Sequence, residues 1–211
     1  LTFAQALDAS AGYSRRHLLL GNGFSIACRP DIFRYDKLFE QADFSALPES
    51  ARSSFAELHT TDFERAIKAL RDSAALATLY GASPALAAAM RRDADSLKEL
   101  LIQTIARSHP AMPGDITNDE YAACQAFLAN FHTTYTLNYD LLLYWTQMHR
   151  DSQANIQSDD GFRTSRADVE SGIQSDYVIW EPGQSYGQNM WFLHGALHIF
   201  DSGTEIQKYT W

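Results

Sequence analysis

Three short segments of the 211-residue chain bring together bare backbone, an amide, a carboxylate and an imidazole, the groups that handle a phosphorylated ligand. "HLLLGNGFS", residues 17–25, is an apolar run broken by glycine. Glycine tolerates φ above zero and lets backbone N–H groups approach an anion. A strand, then Gly21-Asn22-Gly23-Phe24-Ser25, then a helical stretch therefore has the shape of a phosphate-binding turn. Taken alone it fits a plain strand-to-helix connection equally well. It lacks the third glycine of the dinucleotide fingerprint and the Gly-Lys-Ser/Thr of a P-loop, which argues against an ordinary dehydrogenase or nucleoside triphosphatase. "TYTLNYDLLLYW" puts Asn138 and Asp140 at the C-terminal end of a predicted strand, the edge where open α/β sheets hold ligands. An amide and a carboxylate two residues apart can both reach one bound molecule, or can cap a helix starting at Leu141. "MWFLHGALHIF" sets His194 between an apolar strand and Gly195, where an imidazole can enter a cleft as a base, although a lone histidine is more often structural.

Other combinations are weaker. Ser25, His194 and Asp140 have the residue types of a hydrolytic triad, but "GNGFS" is not the Gly-x-Ser-x-Gly elbow that exposes a nucleophile. His194 and His198 have helical ligand spacing, yet Gly195 and the β-rich surroundings oppose a helix. On a strand the pair would stand about 13 Å apart on one face, so no metal is expected. Glu57, His59, Asp62 and Glu64 in "ELHTTDFE" read as a helix start with a solvated face. Cys28 and Cys124 lie far apart without a second pair, which makes neither a disulfide framework nor a four-thiolate zinc site. They read as core thiols of a chain in a reducing cytoplasm.

The elements that must position these groups are predicted as follows. Residues 17–20 form a short buried strand suited to a parallel sheet. Apolar periodicity gives helices over Asp62–Tyr80, with Asp62 as cap, from Pro84 to about Arg107, and around Asp119–Asn130. "HTTYTLNYD", "YVIW" and "NMWFLHG" read as strands, and the last fifteen residues as a hairpin turning at Asp201-Ser202-Gly203. Residues 151–176 are polar and almost free of large aliphatics, a surface insertion with no assigned structure. The chain reaches Trp211 inside a β pattern, which predicts that further residues complete the fold.

With 45% hydrophobic residues the chain suffices for one compact domain, predicted over 1–211 with a helical insertion at about 48–131. Lys plus Arg number 17 against 26 acidic residues, a formal charge of −9, and there is no basic run to neutralise a phosphate backbone; direct nucleic-acid binding is not expected. No apolar stretch approaches the roughly 20 residues of a membrane helix, and the N-terminus lacks the basic-then-apolar order of a signal peptide, so no membrane partner is expected.

In this order, the three segments resemble the sirtuin-like superfamily, whose members carry a Gly-x-Gly-x-Ser turn after the first strand, then Asn-x-Asp, then His-Gly. The matches are Gly21, Gly23 and Ser25, Asn138 and Asp140, and His194 with Gly195. The spellings "GNGFS", "LNYD" and "LHG" are most similar to a bacterial sirtuin-like NAD-hydrolase branch and a related bacterial family of undetermined function. The resemblance implies a Rossmann-like, mostly parallel sheet and NAD⁺ as substrate, cleaved at the nicotinamide–ribose bond to ADP-ribose and nicotinamide. It implies that Asn138 orients water or a ribose hydroxyl, and that His194 hydrogen-bonds the ribose or acts as base. Gly21 to Ser25 would hold the pyrophosphate, and Asp140 would steady the pocket or meet the carboxamide.

Departures bear on the activity. The four-cysteine zinc module of deacylases after His-Gly cannot be built from Cys28 and Cys124, the glutamine that precedes the asparagine is Leu137, and later nucleotide-binding strands are not evident. "RPDIFR" resembles the segment over the nicotinamide end, with Ile32 inserted, so Arg34 reads equally as a ligand contact or as a solvated surface arginine. In the resembling branch the activity serves antiphage defence, held off until a trigger acts, often through a homo-oligomer or regulatory partner. A non-catalytic NAD⁺ or ADP-ribose sensor is the alternative.

Overall fold

The computed structural model describes residues 1–149, 158–172, 174–184 and 186–209. In chain order these form α1 (Phe3–Ala9), β1 (His17–Leu20), α2 (Asn22–Cys28), α3 (Pro30–Phe33), α4 (Tyr35–Gln41), α5 (Glu49–Glu57), α6 (Phe63–Leu79), α7 (Pro84–Ser108) and α8 (Asn118–Leu128). There follow β2 (Thr133–Thr136), α9 (Leu142–Met148), β3 (Phe162–Arg163), α10 (Arg166–Ser171), β4 (Tyr177–Trp180), β5 (Met190–Phe192), β6 (Ile199–Asp201) and β7 (Ile206–Tyr209). The fold is mixed α/β, and the chain divides into two compact units: Leu1–Cys28 with Pro110–Trp211, and Arg29–His109.

The first unit is built on a parallel sheet of order β1-β2-β5, the sheet type that the apolar run at 17–20 predicts, but β1 is not the buried strand expected: His17 and Leu19 are exposed, because only one face of the sheet is packed on the core. Leu20 pairs with Thr136, and Thr136 with Phe192, so the three strands run out at one level. Side chains alternate across the sheet. Leu18, Leu20, Met190 and Phe192 pack with Phe24 of α2, Phe127 and Leu128 of α8, and Leu143 and Tyr144 of α9. On the opposite face His17, Tyr135 and Trp191 form a ladder of rings 6.4 Å apart, beside Leu19, which is 62% exposed. Helices α8 and α9 are joined by Gln125, whose Nε2 donates to the carbonyls of Thr146 (2.6 Å) and His149 (2.9 Å). A side chain thereby donates to carbonyls at the C-terminal end of α9.

A second, antiparallel sheet of order β3-β4-β7-β6 belongs to the same unit. The predicted hairpin is its β6-β7 pair. Gly203 takes φ +86° at the turn, and Asp201 Oδ1 accepts its N–H at 2.7 Å. The polar stretch at 151–176 departs from expectation where it is described, carrying β3 and α10; residues 151–157 and Ile173 lie outside the described residues. Asp159 is locked to Asn189 and Met190 at the start of β5 by two N–H···O=C bonds of 2.9 and 3.0 Å, a pairing with no local sequence signal.

The helical unit is organised by α6 and α7, close to their predicted bounds. Asp62 Oδ1 accepts from the N–H groups of Glu64 and Arg65, capping α6. Ser83 Oγ accepts from Leu86 N–H at the start of α7, and Pro84 fills its first turn. Between them Gly81 (φ +77°) supplies the left-handed residue that ends α6. Ala66, Ala74, Ala87 and Ala94 are fully buried, which lets helical backbones approach closely. A second cluster, Phe39, Phe44, Phe55 and Phe63, holds α4 and α5 with ring centroids 4.9–6.4 Å apart. A cleft of about 870 Å³ in this unit is lined by Glu49, Arg52, Phe55, His59 and Thr61 and by none of the sequence-predicted site residues. Among the described residues no helix is long and apolar enough to cross a membrane.

Phe63 is 1% exposed at the centre of the aromatic cluster. Phe63→Ala is expected to lower the free energy of urea unfolding by about 3–5 kcal/mol, and Phe63→Leu by clearly less.

Candidate functional site

The register of the parallel sheet places the three chemical segments at its C-terminal edge. One residue beyond the Leu20–Thr136–Phe192 row stand Gly21, Leu137 and Leu193. Leu137 N–H donates to Leu20 O (3.0 Å) and Leu193 N–H to Thr136 O (2.9 Å), so the segments are still tied as they leave the sheet. With neighbouring strands about 4.8 Å apart, the glycine turn and the histidine loop flank the Asn-Tyr-Asp segment at about 10 Å from each other.

Side chains of the first two segments meet. Asn138 Nδ2 donates to Ser25 Oγ at 2.8 Å, and Ser25 Oγ donates to Asp140 Oδ2 at 2.5 Å, within the range of a charge-assisted O–H···O bond. The other carboxylate oxygen of Asp140 accepts from Leu142 N–H at 2.9 Å and so starts α9. The capping role open to Asp140 in the sequence is therefore realised, and the same residue also binds Ser25. Ser25 is fully buried and Asp140 4% exposed. The direction of donation has a consequence for Asn138. Because Asp140 accepts and Ser25 can give only one proton, the serine accepts from the amide nitrogen, and Asn138 Oδ1 is the oxygen turned away from Ser25.

Gly21 and Gly23 are both exposed, and neither has positive φ, contrary to one of the two reasons for expecting glycine there. A Cβ built at either residue meets no atom within 4 Å, so bare backbone faces open space. Asn22 begins α2, and Phe24 turns inward to the core.

In the third segment Gly195 has φ +77°, which a residue with a Cβ rarely adopts; this left-handed step turns the chain immediately after His194, beyond the end of β5 at Phe192. His194 is exposed and lies against the ring of Tyr139, with centroids 5.8 Å apart and planes at 27°. Leu197 N–H donates to Tyr139 O at 2.8 Å, fastening the histidine loop to the Asn-Tyr-Asp segment. Arg34 belongs to the helical unit, where it makes an exposed two-pronged pair with Asp36 at 3.1 and 2.9 Å.

Two features were not anticipated. His198 lies not on a strand but in the turn before β6, 6% exposed, stacked on Tyr144 (4.3 Å) and edge-on to Phe192 (5.1 Å). Neither ring nitrogen has a hydrogen-bond partner among the described residues. Burial, assisted by the nearby Lys208 cation and opposed by Asp160, pushes its pKa down to about 4. Lys208 is itself buried, paired with Asp160 and seated over the rings of Tyr144 (5.0 Å) and Phe162 (5.1 Å). The second feature is that Cys28 and Cys124 are in contact and half-buried rather than separate core thiols. Among the described residues no three His, Cys, Asp or Glu side chains gather into a group that could hold a metal ion.

The chain belongs to the family described as a domain of unknown function, DUF4917, whose profile matches residues 18–211. The match begins inside β1 and spans all three segments of the sheet edge. Comparison with curated proteins and with solved structures gives no match.

Ser25→Ala leaves a buried carboxylate short of a donor and frees the Asn138 amide, and is expected to cost about 1–3 kcal/mol in chemical denaturation. For His198 the sign follows from its depressed folded pKa: the unfolded chain binds the extra proton first, so stability is full above about 6.5 and is lost as pH falls toward about 4. The loss attributable to this residue is about 3 kcal/mol. Denaturation at stepped pH should show that slope in the wild type and its disappearance in His198→Phe.

Proposed function

We propose that the chain is an NAD⁺ hydrolase that cleaves the nicotinamide–ribose bond, on a sirtuin-like, Rossmann-like α/β domain of which β1, β2 and β5 are the core strands. The observation that carries this reading is the common level of Leu20, Thr136 and Phe192, from which the Gly-Asn-Gly turn, the Asn-Tyr-Asp segment and the His-Gly loop all depart. Parallel sheets bind ligands at that edge.

The chemistry asks little of an acid. Nicotinamide leaves a cationic ring as a neutral molecule while positive character builds on the ribose, so the site must immobilise the dinucleotide, admit one water and stabilise an oxocarbenium-like centre. The bare backbone at Gly21 and Gly23 supplies room for the pyrophosphate. Asn138 presents Oδ1 as an acceptor for a ribose hydroxyl or the attacking water, its amide held by Ser25. Asp140 keeps Ser25 in place from inside and so steadies the pocket. His194, exposed beside Tyr139, hydrogen-bonds the ribose or takes the water's proton. Regulation by self-association or by a partner protein, in the setting of antiphage defence, belongs to the same proposal and rests on the sequence resemblance.

A second reading is favoured by one observation. Among the described residues no carboxylate or carbonyl orients the His194 ring, which a catalytic imidazole ordinarily has. A sensor that binds NAD⁺ or ADP-ribose without turnover would not need one. Incubation with NAD⁺ and chromatographic measurement of nicotinamide distinguishes the two, with calorimetric binding of ADP-ribose run alongside. Hydrolysis predicts steady nicotinamide release that falls at least about 100-fold in both Asn138→Ala and His194→Ala with unchanged thermal midpoints. Tight binding with no release would establish the sensor, and neither binding nor release would reject both.

A further inference from the structure

Cys28 is the last residue of α2, Cys124 lies within α8, and their Sγ atoms are 3.4 Å apart. That is the contact distance of two unbonded sulfurs, about 1.4 Å longer than a disulfide. Both residues are partly exposed. We propose that Cys28 and Cys124 form a redox modification site at which a hydroperoxide converts the two thiols into an intrachain disulfide. One cysteine, as thiolate, attacks a peroxide oxygen; the O–O bond breaks, and the products are a sulfenic acid and an alcohol, or water when the oxidant is hydrogen peroxide. The second cysteine then attacks the sulfenic sulfur, the S–S bond forms, and the hydroxyl leaves as water. Two thiols lose two electrons, the peroxide gains them, and both thiol protons end in the released alcohol and water.

The pair is distinct from the Asn138–Ser25–Asp140 set, and its reaction with peroxide stands whether or not the sheet edge acts on NAD⁺. Its place in the chain gives the bond consequences. Cys28 is the last residue before the chain enters the helical unit at Arg29, and Cys124 follows the return at Pro110. The disulfide would therefore close a covalent loop containing the whole helical unit, and long loops are those whose closure most restricts the unfolded chain. It would also fasten to α8 the helix that carries Ser25.

The test uses the reduced full chain at low protein concentration with one equivalent of hydrogen peroxide. The expected result is loss of both free thiols together, an intact mass lower by two hydrogens, and a proteolytic fragment joining the segments around Cys28 and Cys124. Dithiothreitol reverses all three, and the oxidised chain melts at a higher temperature than the reduced one. Cys28→Ser and Cys124→Ser should each lose the linked fragment, and the variant that keeps the peroxide-reactive cysteine should trap a sulfenic acid reactive toward dimedone. Retention of both thiols, stepwise addition of oxygen atoms without the loss of two hydrogens, or disulfide-linked dimers in place of the intrachain bond would each overturn the proposal. The wild-type measurements decide it even if a variant fails to fold.

Discussion

Parallel pairing of β1, β2 and β5 in one register is the constraint from which the rest of the sheet-edge geometry follows. Because Leu20, Thr136 and Phe192 share a row, residues that are more than a hundred positions apart begin their loops from neighbouring points on a single edge. A slip of one residue in β1 would turn Leu18 and Leu20 away from α2, α8 and α9, and a slip in β5 would do the same to Met190 and Phe192. Core packing and site assembly are thus secured by the same hydrogen bonds. The register that buries the leucines also aligns the glycine turn with the asparagine and the histidine.

Within that frame a buried hydroxyl sets the chemistry of an amide. Ser25 has one proton to give and gives it to Asp140, whose second oxygen holds the first free N–H of α9. The hydroxyl can then receive only from the nitrogen of Asn138, which distinguishes the two ends of a nearly symmetric side chain. Two buried residues therefore decide which atom Asn138 presents. The asymmetry is purchased by burying a carboxylate, and the 2.5 Å bond from Ser25 is one of the contacts that make such burial tolerable.

Much of this was legible in the sequence, and the parts that were not have a common cause. The strand at 17–20, the long helices with Asp62, Ser83 and Pro84 at their starts, and the hairpin at Ser202-Gly203 are specified by neighbours within a few residues, so local pattern suffices. The segments of the sheet edge were legible for the same reason, each being a strand followed by residues that end it. What could not be read depends on side chains meeting across long separations. Asp140 and Asn138, alike in sequence as polar residues beyond a strand, both bond Ser25 but part company in burial, the carboxylate being enclosed and the amide half-buried. Cys28 meets Cys124 only through the docking of α2 against α8, and His198 is buried by Tyr144 and Phe192 rather than by anything beside it in the chain. The short helices α3 to α5 carry too few turns for an apolar period to be distinct.

The separation between β1 and its partner also sets the order of events while the chain is made. β1 ends at Leu20 and β2 begins at Thr133, with the entire helical unit between them. At a synthesis rate of about 5–20 residues per second, three consecutive leucines wait on the order of ten seconds or so before the strand that will cover their edge leaves the ribosome. The α6–α7 pair, whose contacts are close in sequence, can consolidate during that interval. The stretch most exposed to capture by chaperones or by other nascent chains is therefore the same one that later forms the glycine turn's support.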